Sequence, residues 1–186
     1  LRKYGLRLPL LGRHQIENAA TAVAALEALQ EQGVTIGGLA LRQGMASVRW
    51  PGRLEVLGGR PWIVVDGAHN GESAQRLRQA MADYFPGRRL VLIMGTSRDK
   101  DMPAIARELA LGTYEVIATR SRHPRAASTE ELARVWAGLG CQARAASSVG
   151  EAIELAKTLA GAEGVVLVTG SLFVVAEARE HVLGLP

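Results

Sequence analysis

Apolar positions in the first part of the chain recur at helical spacing and later give way to short unbroken apolar runs. Between Gln15 and Gln32, the residues Ile16, Ala19, Ala20, Val23, Leu26 and Leu29 mark one face of a helix that Gly33 ends. A second, shorter helix is predicted from Ile36 to Ser47, with Leu39, Leu41 and Met45 inward. Trp50-Pro51-Gly52 breaks this pattern and marks a domain boundary. Strands follow at Arg53–Leu57 and Trp62–Val65, joined by Gly58-Gly59 as a hairpin. Beyond them, strands at Leu90–Met94, Tyr114–Ala118, Gln142–Ala145 and Val165–Val168, the first and last of them unbroken apolar runs, alternate with helices at Ser73–Tyr84, Met102–Leu111, Thr129–Leu139, Val149–Leu159 and Leu172–Leu183. Ser128, with Glu131 three residues on, reads as a capping box. Non-alternating strands separated by helices imply an α/β fold, a mostly parallel sheet covered on both faces with one antiparallel edge hairpin.

Composition narrows the class. Of 186 residues, 48% are hydrophobic and 22% charged, which suits a core-forming globular protein. The single cysteine, Cys141, excludes an internal disulfide, fits a reducing cytoplasm and reads as a packed thiol. No apolar run approaches the roughly 20 residues of a membrane span, and no signal-peptide pattern opens the chain. The net charge of +4 comes wholly from residues 1–60, which hold 8 Lys and Arg against 4 Asp and Glu. Those arginines are scattered and base-stacking aromatics are scarce, which argues against nucleic-acid binding and suits a face that meets nucleotide phosphate.

The candidate chemistry sits where predicted strands end. Asp66-Gly67-Ala68-His69-Asn70 follows one strand and opens a helix, the place where open α/β sheets bind ligands. Asp66 suits a ribose hydroxyl or a metal-bound water, and His69 a phosphate or substrate. The alternative is a turn capped by Asn70 with His69 at the surface. Gly95-Thr96-Ser97-Arg98-Asp99-Lys100-Asp101 offers backbone N–H groups, hydroxyls and cations for an anion, or is a solvated, well-capped loop. Ser171, in Thr169-Gly170-Ser171-Leu172-Phe173, caps the last helix and has a hydroxyl to offer a carboxylate. Gln15 and Asn18, three apart on one helical face, suit a flat polar heterocycle such as adenine, or are ordinary helix-start polarity. Arg53, after the rigid turn, reaches toward a phosphate or lies on the strand surface. There is no GxGxxG, no GxSxG, no GxxxxGK[ST], and no metal-ligand spacing among His14, His69, His123 and His181.

Taken in order, Gly12-Arg13-His14-Gln15 with Asn18-Ala19-Ala20, Trp50-Pro51-Gly52-Arg53-Leu54-Glu55, Asp66-Gly67-Ala68-His69-Asn70, Gly95-Thr96-Ser97 with Asp99-Lys100-Asp101, Pro124-Arg125-Ala126 and Thr169-Gly170-Ser171-Leu172-Phe173 resemble the folylpolyglutamate synthase/dihydrofolate synthase branch of the Mur ligases. The resemblance implies a Rossmann-like sheet and an ATP-dependent amide ligase that adds L-glutamate to a folate or dihydropteroate through an acyl phosphate. It implies that Asn18 and Gln15 face adenine, Arg53 approaches ATP phosphate, Asp66 binds ribose or a neighbouring group and His69 sits beside the reacting phosphate. Asp66 and His69 are then the catalytic candidates, and Lys100, Arg125 and Ser171 hold the incoming glutamate. Residues 1–48 are expected to be the tail of the family's central ATPase domain and residues 49–186 its C-terminal glutamate ligase domain.

The family's P-loop, Mg²⁺ ligands and carbamylated lysine have no counterpart here, so Mg²⁺ is expected to be bound mainly by the N-terminal domain. With no initial methionine, the chain is expected to be a fragment that packs against that domain and is inactive alone. A cytoplasmic monomer is the default. The competing expectations are a non-catalytic nucleotide- or amino-acid-binding module and another Mur-type peptide ligase.

Overall fold

A computed structural model describes residues 3–185. The chain divides into two compact units, Leu1–Pro51 and Gly52–Pro186. The first carries helices α1 (Arg13–Glu31) and α2 (Gly38–Ser47). Gly12, at φ +103, starts α1 two residues earlier than the periodicity predicts. Val23 is buried on α1, and Val23, Leu26, Ile36, Leu41 and Tyr4 line a cavity of about 190 Å³. The expectation that Leu39 points inward is not met, since it is 63% exposed, and Ile16, on the apolar face of α1, is 68% exposed. One short helix and an irregular segment cover only the middle of α1, and no residue of α2 is fully buried.

The second unit is an open α/β sheet. Its strands are β1 (Glu55–Gly58), β2 (Trp62–Val65), β3 (Leu90–Met94), β4 (Glu115–Ala118), β5 (Ala143–Ala145) and β6 (Val165–Thr169). Its helices are α3 (Gly71–Tyr84), α4 (Met102–Ala110), α5 (Thr129–Gly138), α6 (Val149–Ala160) and α7 (Leu172–Leu183). The strand order is β1-β2-β6-β3-β4-β5. Only β1 runs antiparallel, with a bulge between Val56 and Gly58. The chain steps outward from β2 to β5 with α3, α4 and α5 on one face. It then returns through α6 on the other face and inserts β6 between β2 and β3.

Side chains alternate across each strand. Val65, Val91, Ile93, Ile117, Val166 and Val168 pack against Val149, Ala152, Ile153 and Ala156 of α6 and Val174, Val175 and Ala178 of α7. Val64, Leu92 and Leu167, also buried, turn to the opposite face. Each helix of this unit opens on a side chain that accepts an N–H of its first turn, namely Asn70, Asp101, Ser128, Ser148 and Ser171. Such caps contribute about 1 kcal/mol apiece. The predicted Ser128–Glu131 capping box forms, with Ser128 N–H donating to Glu131 Oε2 at 2.7 Å.

Inserting β6 demands close backbone approach at its carboxyl end. Gly170 has φ +104, and a Cβ built on it would stand 2.6 Å from the Gly95 carbonyl oxygen. That obstacle is backbone and cannot rotate away. Gly170→Ala is therefore expected to lower the unfolding free energy by about 3 kcal/mol. Gly184→Ala, equally left-handed but with open space around it, should cost about 1 kcal/mol. Urea unfolding of both variants checks this, and equal losses would refute the steric account.

Candidate functional site

Neighbouring strands β2, β6 and β3 are followed by helices on alternating faces, so a crevice opens at their carboxyl ends. The loops there are joined by backbone hydrogen bonds. Gly170 N–H donates to Ala68 O at 3.1 Å, Gly95 N–H to Thr169 O at 3.2 Å and Thr119 N–H to Met94 O at 3.0 Å. The loop after β3 is tied to the one after β4 through Arg98 N–H to Arg125 O at 3.0 Å and Ala127 N–H to Thr96 O at 2.8 Å.

Asp66 ends β2 and is only 6% exposed. Its Oδ2 accepts Leu54 N–H and its Oδ1 accepts Ala68 N–H, both at 2.8 Å. One carboxylate thus joins the Trp50–Glu55 turn to the Asp66–Asn70 turn. Leu54, buried, has φ 41, a left-handed value that a leucine adopts only when held. Arg53, half-buried beside it, makes no hydrogen bond or ion pair within the described residues. His69 Nδ1 lies 3.0 Å from Gly67 O. A carbonyl only accepts, so Nδ1 carries the proton and Nε2 is the nitrogen left for a ligand. Asn70 caps α3 in a reciprocal bond with Ser73, and within that capped turn His69 Nε2 has no hydrogen-bond partner among the described residues.

Lys100 and Arg125 are brought together by the tied loops. Asp99 lies between them, its carboxyl held below the ordinary value chiefly by hydrogen bonding to Lys100 and further by the charge of Arg125. Lys100 Nζ stands 3.3 Å from Asp99 Oδ2. Ser171 accepts Val174 N–H at 3.2 Å as the cap of α7, which leaves its own O–H proton to donate. Thr96, buried in the same crevice, has a hydroxyl with no partner.

In the first unit, Asn18 Nδ2 donates to Gln15 Oε1 at 3.1 Å and Gln15 Nε2 lies 3.1 Å from His14 Nε2. Gln15 is buried and Asn18 exposed, so the pair presents one pre-set amide. Among the described residues, no three His, Cys, Asp or Glu side chains cluster to hold a metal. No helix is long and apolar enough to cross a membrane.

The positional reading missed several groups. Arg179 of α7 donates Nε–H to Glu55 Oε2 at 2.9 Å across 124 positions. Phe173 stacks on His123 with ring centroids 3.8 Å apart. Arg122 donates its N–H to Glu177 Oε1 at 2.7 Å and pairs with Glu180, and those two carboxylates raise its pKa further. None of these partners is near in sequence, and only Glu55 and Phe173, each inside one of the sequence motifs, carried any signal.

An open α/β domain with convergent polar strand ends is a ligand-binding class. The family model for "Mur ligase, glutamate ligase domain" matches residues 52–172, and the chain belongs to that family. It is 38% identical over 173 residues to a probable bifunctional folylpolyglutamate synthase/dihydropteroate synthase of Halobacterium salinarum, covering 92% of this chain and 20% of that protein. It superposes on Mycobacterium tuberculosis folylpolyglutamate synthase complexed with ADP and AMPPCP, with TM-score 0.86 and 34% identity, covering 95% of this chain and 42% of that one. A bifunctional folylpolyglutamate synthase/dihydrofolate synthase with Mn, AMPPNP and L-glutamate bound matches with TM-score 0.82 and 30% identity, covering 95% and 41%. The chain thus spans between a fifth and about two fifths of the length of these relatives.

Asp66→Asn leaves one backbone N–H facing an amide N–H. It should lower stability by about 2 kcal/mol in urea unfolding at neutral pH, and a loss below about 0.5 kcal/mol would mean the carboxylate does not hold the turns. Separately, Glu131 and Glu151 are held below the ordinary 4.5, Glu131 mainly by the Ser128 backbone N–H and Glu151 by hydrogen bonds from Ser147. Their native carboxyls bind protons less readily than unfolded ones. The stability they add is complete above pH 4.5 and drains as pH falls through the lowered native values. Thermal scans across that window should show the midpoint falling with acid, and less steeply in Glu131→Gln.

Proposed function

We propose that this chain is the C-terminal part of an ATP-dependent ligase that joins L-glutamate to a folate. Residues 49–186 form its glutamate ligase domain and residues 1–48 the tail of its ATPase domain. The observation that carries this reading is the carboxyl edge of β2, β6 and β3, where a half-buried Arg53 without a partner sits on the turn that Asp66 holds, His69 lies on the next turn and the Thr96 hydroxyl after β3 is unpartnered. A lone guanidinium and an unsatisfied hydroxyl at a sheet's carboxyl edge suit a phosphorylated ligand. The relatives solved with ADP, AMPPCP, AMPPNP and L-glutamate support it.

ATP, when bound, supplies the phosphoryl group that turns the folate carboxylate into an acyl phosphate open to amine attack. This chain's residues position and neutralise. Arg53 binds phosphate oxygen. Asp66 takes ribose hydroxyls. His69 sits beside the reacting phosphate. Gln15 and Asn18 hold adenine. Lys100 and Arg125 neutralise the glutamate carboxylates, and Ser171 donates its hydroxyl proton to one of them. Mg²⁺ is held mainly by the part of the ligase outside this chain.

Calorimetry of the 186-residue chain with Mg-ATP, and separately with L-glutamate, followed by an ADP-release assay, tests this. Weak or absent ATP binding without turnover is expected of the chain. The full-length ligase should release ADP only when a folate and glutamate are both present, not with cell-wall precursors. Tight Mg-ATP binding or any turnover by the 186 residues alone would refute the reading in favour of a self-sufficient nucleotide-binding module.

A further inference from the structure

We propose that Glu55 and Arg179 are a positioning pair through which helix α7 holds the turn that presents Arg53. Glu55 Oε2 accepts two donors, the Gly52 N–H at 2.7 Å and Arg179 Nε at 2.9 Å. The two side chains are 26% and 25% exposed. The turn needs holding. Gly52 has φ +75 and Leu54 φ 41, so both neighbours of Arg53 sit in left-handed backbone. Their N–H groups both end on carboxylates, Gly52 on Glu55 and Leu54 on Asp66. Gly67 N–H closes the ring by donating to Gly52 O at 2.9 Å. A Cβ on Gly52 would come within 2.8 Å of Val175 Cγ1, so the turn also presses on α7 itself.

The Arg53 backbone is thus fixed from β1, β2 and α7 while its guanidinium stays without a partner. Helix α7 begins at the Ser171 cap and reaches Arg179 about 12 Å further along its axis. The same rigid element that sets Ser171 in the crevice therefore also sets the turn of Arg53. The pair touches no ligand. Its effect on nucleotide, which rests on the phosphate-binding reading of Arg53, passes through backbone.

Amide hydrogen exchange by NMR on the 186-residue chain tests the holding directly. Arg179→Met, which keeps the aliphatic stem, should speed exchange at Gly52 and Leu54 about tenfold, while Val64 and Leu92 stay as slow as in the parent. Glu55→Ala should do at least as much, and adding Arg179→Met to it should change nothing further, because Arg179 acts through Glu55. Glu55→Gln replaces Glu55→Ala if the latter does not fold. Unchanged exchange at Gly52 in Arg179→Met, or strictly additive effects in the double variant, would overturn the proposal. In the full-length ligase, Arg179→Met should raise the KM for ATP several-fold with a smaller change in kcat, in parallel with Arg53→Met. If Arg53→Met changes the KM and Arg179→Met does not, the positioning role is wrong even where exchange rises. If Arg53→Met itself leaves the KM unchanged, the phosphate-binding reading has failed, and the exchange data alone judge the pair.

Discussion

The carboxylate of Asp66 is the contact on which this edge of the sheet depends. It ends a buried strand and receives one N–H from each of two turns, 12 residues apart in sequence for Leu54 and two for Ala68. Without it, Leu54 would have no reason to stay left-handed, and the Arg53 turn would be free of β2. Charge-assisted bonds to backbone N–H are among the stronger ones available to a protein. Burial strengthens them further, because the alternative is an unsolvated N–H rather than a hydrated one.

The same device recurs along the carboxyl edge. Glu55 takes Gly52 N–H, Glu177 takes Arg122 N–H, Glu131 takes Ser128 N–H and Glu151 takes Ser147 N–H. Loops that carry ligand-facing groups cannot be fixed by burying them, since they must stay accessible. Acid-to-backbone bonds fix them without occupying their side chains. Helix α7 carries an unusual share of this load. Arg179 steadies the Arg53 turn on one flank, Glu177 and Glu180 hold Arg122 on the other, and Phe173 stacks on His123. One helix, capped in the crevice by Ser171, therefore sets the spacing between the strand ends on either side of β6.

Much of the fold is legible in the sequence because its signals are local. Continuous apolar runs such as Leu90–Met94 and Val165–Thr169 can be satisfied only as strands covered on both faces. The helix starts at Asn70, Ser128 and Ser171 declare themselves by side-chain chemistry. What escapes is whatever depends on distant partners. Nothing near Val165 says that β6 inserts between β2 and β3. Nothing near Glu55 says that its partner is Arg179. The inward reading of Leu39 fails, and Ile16 on the apolar face of α1 stays exposed, because periodicity gives a face without saying whether anything covers it. Of the candidate site, the residue types at the strand ends could be read directly. The backbone strain at Leu54 could not, since leucine is an improbable left-handed residue and only the Asp66 acceptor explains it.

Three departures from local consistency lie at the sheet's carboxyl edge: a left-handed leucine, an arginine with no partner and a buried threonine hydroxyl with no acceptor. Unsatisfied groups alone do not define a site, for Trp136 Nε1 and Arg78 Nε are also buried without a hydrogen bond. The difference lies in how much surrounding structure is committed to each. Trp136 sits deep in the α5 packing, where displacing its ring would cost more than one missing bond. Arg78 keeps Glu108 at 3.5 Å as a counter-charge. Around Arg53, by contrast, two carboxylates and a helix hold strained backbone in place while the guanidinium is left without a counter-charge. Stabilising bonds that keep a cation unpaired at a sheet's carboxyl edge are what the phosphate-binding role proposed for Arg53 requires.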